Sequence, residues 1–393
     1  MARAQLDTTE GACGALRPGF LSRSDKRMAD SGEPALRATR YYRHIKDVKE
    51  ASMEQTLTHK QAPVLDDTAR ARIIREGIRN RSRELRQRLP FLTRHQSAIG
   101  LALQIVALAG MTGSAVAYAT GALSAWAVIP LAAFFASIAH EVEHDLIHKC
   151  YFPTRARVID ALLAVGWLMR PSTVSPWIRR KLHLLHHKVS GTMADIEEQA
   201  VTNGMPMGLR RLLVMTDGLV CGMLFRPVPP GMRGAVAKRV SLAYFPLGFV
   251  YVALLYTWLG FHAAQLGAAA IGGALPQPAW MGAVDFLFVV WVAPNLLRTM
   301  SLHLITSNLH YFGDVEEGNV LEQTQVLNRW FLLPLQLFCM NFGSTHGIHH
   351  FYVPDPFYVR QMTAAAAHRV MRENGVRFND LGSFARANRY ALS

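Results

Sequence analysis

Residues 96–148 read QSAIGLALQIVALAGMTGSAVAYATGALSAWAVIPLAAFFASIAHEVEHDLIH, and this stretch decides the fold. From Gln96 to Ala139 it contains no Asp, Glu, Lys or Arg, a run of 44 residues. A membrane-crossing helix needs about 20 residues at about 1.5 Å rise. The run therefore fits two spans joined by a tight turn near Thr120–Ser124. Its polar end arrives abruptly, as His140, Glu141, Glu143, His144, Asp145 and His148 within nine residues. An apolar hairpin ending in a cluster of imidazoles and carboxylates is the theme of the whole chain.

The theme recurs. Ser241 to Val284 is a second uncharged run of 44 residues, and it too leads towards histidines, His303 and His310. The expected fold is an all-α integral membrane protein with four transmembrane helices in two hairpins. The spans are expected at roughly 97–118, 122–140, 243–263 and 284–305. Arg298 lies inside the fourth, either near the boundary or facing the interior, where an intramembrane charge needs a partner. Val158–Met169 and Phe331–Phe342 are apolar but too short to cross, and read as interfacial or re-entrant pieces. With the histidine clusters they form a helical cap on the cytoplasmic side. Asp66–Arg88, with Ile73, Ile74, Ile78 and Leu85 between arginines, reads as an amphipathic helix at the membrane surface, ended by Pro90.

Residues 1–65 are polar and poor in periodic apolar positions, so they are expected to be a disordered extension to a domain covering 66–393. No apolar segment follows Met1, and no signal peptide is expected. Of 42 Lys and Arg, 20 precede the first apolar run, 14 lie between His140 and Arg239, and 7 follow residue 305, while the hairpin turns have none. By the positive-inside rule both termini and the middle segment are cytoplasmic. The net charge of +14 then reflects orientation and anionic lipid contact, and no recognition fold supports nucleic-acid binding. Four scattered cysteines without Cys-x-x-Cys exclude a zinc ribbon or disulfide framework. The use of 34 Arg against 8 Lys points to a GC-rich bacterial genome, and so to a bacterial inner membrane.

Eleven of sixteen histidines fall in four clusters: His140, His144 and His148; His183, His186 and His187; His303 and His310; His346, His349 and His350. Residues three and four apart share a helix face. Each of the three larger clusters therefore presents its imidazoles together. Leaving His140 aside, the eight imidazoles of these clusters exceed one metal ion's needs, so two five- or six-coordinate ions fit better, and imidazole suits iron, copper and zinc alike. His44, His59, His95, His262 and His368 stand alone and read as ordinary histidines. His140-Glu141-Val-Glu-His144 also satisfies the His-Glu-x-x-His pattern of zinc peptidases. That reading leaves both His-x-x-His-His motifs unemployed.

The sequence resembles the integral-membrane fatty acid desaturase and hydroxylase superfamily, whose mark is three histidine boxes. Here they read HDLIH (144–148), HLLHH (183–187) and HGIHH (346–350), and Pro354 and Tyr358 match the family's ending after the third box. The resemblance covers roughly residues 95–360. It implies a non-haem di-iron centre that uses O2 and two externally supplied electrons to oxidise an unactivated C–H bond of a fatty acyl chain. The implied iron ligands are His144, His148, His183, His186, His187, His346, His349 and His350, with His310 as a further ligand and His140 as an open position. Glu141, Asp145, Asp195, Asn308 and His303 are expected around them. The implied substrate is a fatty acyl lipid or thioester. Desaturation is the leading reaction, and hydroxylation, acetylene formation and decarboxylation to a terminal alkene stay open. No dinucleotide fingerprint, iron–sulfur pattern or fused cytochrome motif is present. Electrons are therefore expected from a separate ferredoxin, rubredoxin or cytochrome.

Overall fold

A computed structural model describes residues 65–228 and 231–392. The expected disordered extension over 1–65 thus lies, apart from its last residue, outside the described residues. The described chain is all-helical, with four helices long and apolar enough to cross a membrane. After α1 (Asp67–Arg88), the first hairpin is α2 (Gln96–Ala119) and α3 (Ala125–Ile147). Next come α4 (Ala156–Met169), α5 (Pro176–Val189) and the single turn α6 (Ile196–Ala200). The second hairpin is α7 (Leu247–Ala270) and α8 (Met281–Leu309), followed by α9 (Phe342–Phe351) and α10 (Phe357–Glu373).

All four spans run longer than the expected ranges, α2 by only one residue at each end, and the larger extensions have reasons visible in the residues. α3 continues to Ile147 because its last turns, though charged, are buried by the protein rather than exposed at a boundary. Pro246 caps the start of α7, and no breaker follows until Gly272 takes a positive φ of 75°. In α8 the backbone widens to a π-turn at Phe288–Val292, just before Pro294. Proline has no N–H and its ring crowds the carbonyl four residues back. The widened turn absorbs that conflict, and the helix carries on to Leu309.

α2 and α3 pack closely because position 110 is glycine. A Cβ there would stand 2.3 Å from the Phe135 ring. Close approach through small residues substitutes for the hydrophobic drive that helices in lipid lack. At the tip of the second hairpin, Asp285 accepts from His262 and Gln277 at 2.8 Å each.

α1 forms the expected amphipathic helix, and part of its apolar stripe packs inside the protein. Its N-cap Asp66 accepts from the Ala69 N–H, and the apolar stripe of Ile74 and Ile78 is fully buried. That stripe packs on Ile348 and Phe351 of α9 and on Ala367 and Met371 of α10. Ile74 and Ile78 are therefore consumed inside the protein, while Ile73 stays exposed. Arg75 donates from Nε to the Phe351 carbonyl at 3.3 Å, tying α1 to the end of the third box. α4 is amphipathic, burying Ile159, Leu163 and Trp167, whereas Trp330, Phe331, Leu333 and Leu337 remain exposed in a short apolar stretch.

Candidate metal centre

The histidine boxes sit at one end of the two hairpins, because every helix that carries one ends or lies there. The first box closes α3, the second occupies the last two turns of α5, and the third fills α9. His310 follows α8 directly. Its position is pinned by a one-residue antiparallel bridge to Thr324, with Tyr311 N–H donating to the Gln323 carbonyl.

The nitrogens converge on two points. His144, His148, His183 and His349 place one ring nitrogen each within 4.8 Å of one another, and so do His186, His310, His346 and His350. Nε2 of His148 is 2.9 Å from Nε2 of His183 and 3.1 Å from Nε2 of His349. Nε2 of His187 is also 3.1 Å from Nε2 of His349, so His187 borders the first group although it lies outside the mutual four. In the second group Nε2 of His350 lies 3.2 Å from His346 and 3.3 Å from His186. The structure thus gathers all nine histidines expected around the metals.

A pair of metal ions fits these residues. Nε2 of His144 is buried without a hydrogen-bond partner. Burying such groups unpaired is costly, and a cation at the centre of each group would engage Nε2 of His144 and its neighbours. Nitrogen ligands at about 2.0–2.1 Å from a metal stand ~3.0 Å apart at right angles and ~3.4 Å apart in a tetrahedron. The spacings of 2.9–3.3 Å match the tighter, five- or six-coordinate arrangement. Burial, and after it the neighbouring cationic groups, holds His148, His183, His187, His310, His346, His349 and His350 well below the ordinary histidine value. These rings are therefore neutral at pH 7, the form that binds metal.

Around the rings stands a layer of carboxylates and arginines. His183 Nδ1 donates to Glu197 at 2.9 Å and His186 Nδ1 donates to Asp195 at 2.7 Å, fixing which nitrogen faces inward. Burial opposes charge on His186, yet the Asp195 hydrogen bond and the charges of Asp195, Glu198 and Glu197 outweigh it and lift His186 to about 9. The other oxygen of Asp195 caps α6 by accepting from the Glu198 N–H. Glu198 itself lies 3.7 Å from Nδ1 of both His186 and His310. Asp145 accepts from Tyr151 Oη and from the Phe357 N–H, and stands 3.7 Å from His144 Nδ1.

Other expected site residues are employed differently. His140 joins neither group, because Arg179 donates to its Nε2 at 2.9 Å. Glu141 is held by Arg360 at 3.1 Å and lies 3.3 Å from His140 Nδ1. Arg179 thus occupies His140 Nε2 and Arg360 one oxygen of Glu141, while His140 Nδ1 and Glu141 Oε1 have no hydrogen-bond partner. The Asn308 side-chain oxygen accepts from Ser383. His303 donates from Nδ1 to the Met215 carbonyl and lines a cavity beside the centre. Glu143 is buried and pairs with Arg170 and Arg179. Arg298 faces the interior, donating to Thr299 at 2.9 Å.

Sequence reasoning passed over Arg360, Arg170, Arg179, Glu197 and Glu198. Arg360 meets His349 eleven residues earlier and in another helix, and its carboxylate partners lie 215 and 219 residues away, contacts for which no spacing rule exists. The two glutamates did carry a signal, standing two and three residues after Asp195 downstream of the second box.

A comparison with protein families matches residues 120–382 to the fatty acid desaturase family. The match covers all three boxes and most of the chain, and the chain belongs to that family. Among curated proteins, none matches.

Proposed function

We propose that this protein is an O2-dependent oxidoreductase that desaturates a fatty acyl chain at a non-haem di-iron centre. The single observation that carries the reading is the convergence of nine histidines, seven buried and His148 and His187 half-buried, into two adjacent ligand groups. The proposed iron ligands are His144, His148, His183, His187 and His349 for one ion and His186, His310, His346 and His350 for the other. The iron pair, when bound, supplies the oxidant that removes hydrogen from an unactivated C–H bond. Overall, a –CH2–CH2– unit, one O2, two electrons and two protons yield –CH=CH– and two waters. Hydroxylation on the same scaffold consumes the same O2 and electrons and yields an alcohol and one water.

The chain's own residues do three things. Glu197 and Asp195 hold His183 and His186 with Nε2 inward. Arg360 joins α3 to α9 through Glu141, Asp145 and His349. The four spans bring an acyl chain out of the lipid to a buried site, where exclusion of water prevents side reactions. Electrons come from a separate ferredoxin, rubredoxin or cytochrome, and positive-inside bias puts the centre and both termini on the cytoplasmic side of a bacterial inner membrane.

The test is metal analysis of purified protein, coupled to lipid profiling of cells that express it with a reductant system. Two irons per chain and a new double bond are expected. One tightly bound zinc without iron overturns the reading.

A further inference from the structure

The cavity beside the centre has an unexpected wall. It encloses about 130 Å³, and its lining includes His144, His183, His310 and His346 together with Ser172 and Arg179. Behind that lining lie two more guanidinium groups, Arg170 and Arg298, both essentially inaccessible to solvent. Glu143 pairs with Arg170 and Arg179. Arg298 makes no ion pair among the described residues.

Its Nη2 donates to Thr299, whose hydroxyl is 2.8 Å from that of Ser172, and Arg298 Nη2 is 3.5 Å from the same Ser172 oxygen. Nε and Nη1 of Arg298 have no acceptor, nor do Nε and Nη1 of Arg170. Burial, then the like charges of Arg298 and Arg179, disfavours the Arg170 cation. Guanidinium groups nevertheless keep their protons in proteins. Arg179 also feels Glu197 and Glu141, so the shortfall of negative charge falls on Arg170, which has Glu143, and on Arg298, which has none; loading two metal ions nearby adds more positive charge. Such a region calls for an anion from outside the chain.

Position narrows what that anion does. Arg179 precedes His183 by one turn of α5, and its partner His140 precedes His144 by one turn of α3. One turn is about 5.4 Å. Arg179 thus lies one helical turn from the first histidine group, Arg170 meets Glu143 next to His144, and Arg298 stands behind Ser172 in the cavity lining.

We propose that this wall binds the carboxylate of a free fatty acid, with Arg298, Arg170 and Ser172 as its recognition groups. The proposal rests on the acyl-oxidising reading of the metal centre. A head held at Ser172 lies in the same cavity as His144 and His183, and so presents the first few carbons after the carboxyl group to the centre. Mid-chain carbons of an extended chain would lie beyond reach. The site therefore selects a free acid over a thioester or ester, and directs oxidation to its carboxyl end.

The experiment is titration of a saturated fatty acid, and of its methyl ester of equal length, into the full-length metal-loaded protein in detergent. The acid is expected to bind at least tenfold more tightly than the ester. Arg298→Gln should remove that preference and leave ester binding unchanged. Should Arg298→Gln fail to insert, Ser172→Ala should narrow the same preference. Equal affinity for acid and ester in the unaltered protein overturns the proposal, and so does tighter binding of an acyl thioester or of phosphatidic acid. Product analysis gives a second readout: oxidation within a few carbons of the carboxyl supports the site, and mid-chain oxidation overturns it. Binding needs no turnover, so a protein that prefers the acid but lacks iron defeats the functional reading and leaves the site standing.

Discussion

Arg360 donates from Nη1 to Nδ1 of His349 at 2.9 Å, while its Nη2 reaches Glu141 at 3.1 Å and Asp145 at 3.3 Å. One guanidinium thus ties the third box to the helix that carries the first. The geometry suits arginine alone, because a planar fork spans three acceptors where an ammonium is a point charge. Removing it strands two buried carboxylates, and breaking a buried pair costs about 3–5 kcal/mol. Arg360→Ala is therefore expected to lower the melting temperature sharply, measured in detergent. Arg360→Lys should insert and fold but bind less metal in the first group. Unchanged melting and full metal content in both variants would show that the clamp is idle.

The two histidine groups predict a divided loss of metal. His349→Ala removes a nitrogen that touches both His148 and His187, whereas His310→Ala strikes only the second group. Each variant is expected to keep about half of the metal, and each should lose oxidation. Elemental analysis reads the first effect and lipid profiling the second. Loss of all metal in His310→Ala would mean that the groups do not fill independently.

Asp195 offers a finer probe, since it touches the site through a ring nitrogen. Asp195→Asn keeps an oxygen able to accept from His186 but removes the charge that lifts that histidine to about 9. Changes to such supporting residues typically weaken metal binding about 10–100-fold. A competition titration against a chelator should find that weakening in the second group only. Equal affinity in variant and parent would demote Asp195 to a cap for α6.

Much of this arrangement was legible beforehand because helices obey fixed spacing. Uncharged runs of 44 residues declare hairpins, and His-x-x-His-His declares one face. Eight of the nine histidines needed no knowledge of distant contacts to be selected, and the ninth, His310, came from the family resemblance. What failed to show were the groups that complete one another across the chain. Glu141 looks like a support for imidazoles, but its partner is Arg360 in another helix. Ile74 and Ile78 look lipid-facing because an apolar stripe reads the same whether lipid or α10 covers it. His140 is the sharpest case: its spacing equals that of a ligand, and only Arg179 at its Nε2 removes it from the set.

Metal removal should destabilise the whole histidine end. A ligand that binds only the folded state adds RT ln(1 + [L]/Kd), about 4.1 kcal/mol at a thousandfold excess over Kd. Chelation should therefore lower the melting temperature by several degrees, and ferrous iron should restore it. A melting curve that ignores both chelator and iron would indicate that hydrogen bonds alone hold the rings in place.

Gly100 links the membrane hairpin to the centre. A Cβ there would stand 2.6 Å from the Tyr151 ring, too close for the ring to stay. Tyr151 is fully buried and donates to Asp145 at 2.8 Å, and Asp145 lies beside His144 and Arg360. Gly100→Ala is expected to push the ring away and loosen Asp145, a cost of about 1–3 kcal/mol for overpacking a filled core. Tyr151→Phe removes only the hydroxyl and should cost less, near the ~1 kcal/mol of a single hydrogen bond. If the ring transmits the strain, Gly100→Ala lowers metal retention in the first group more than in the second. Equal retention in both groups would confine the glycine's role to helix packing.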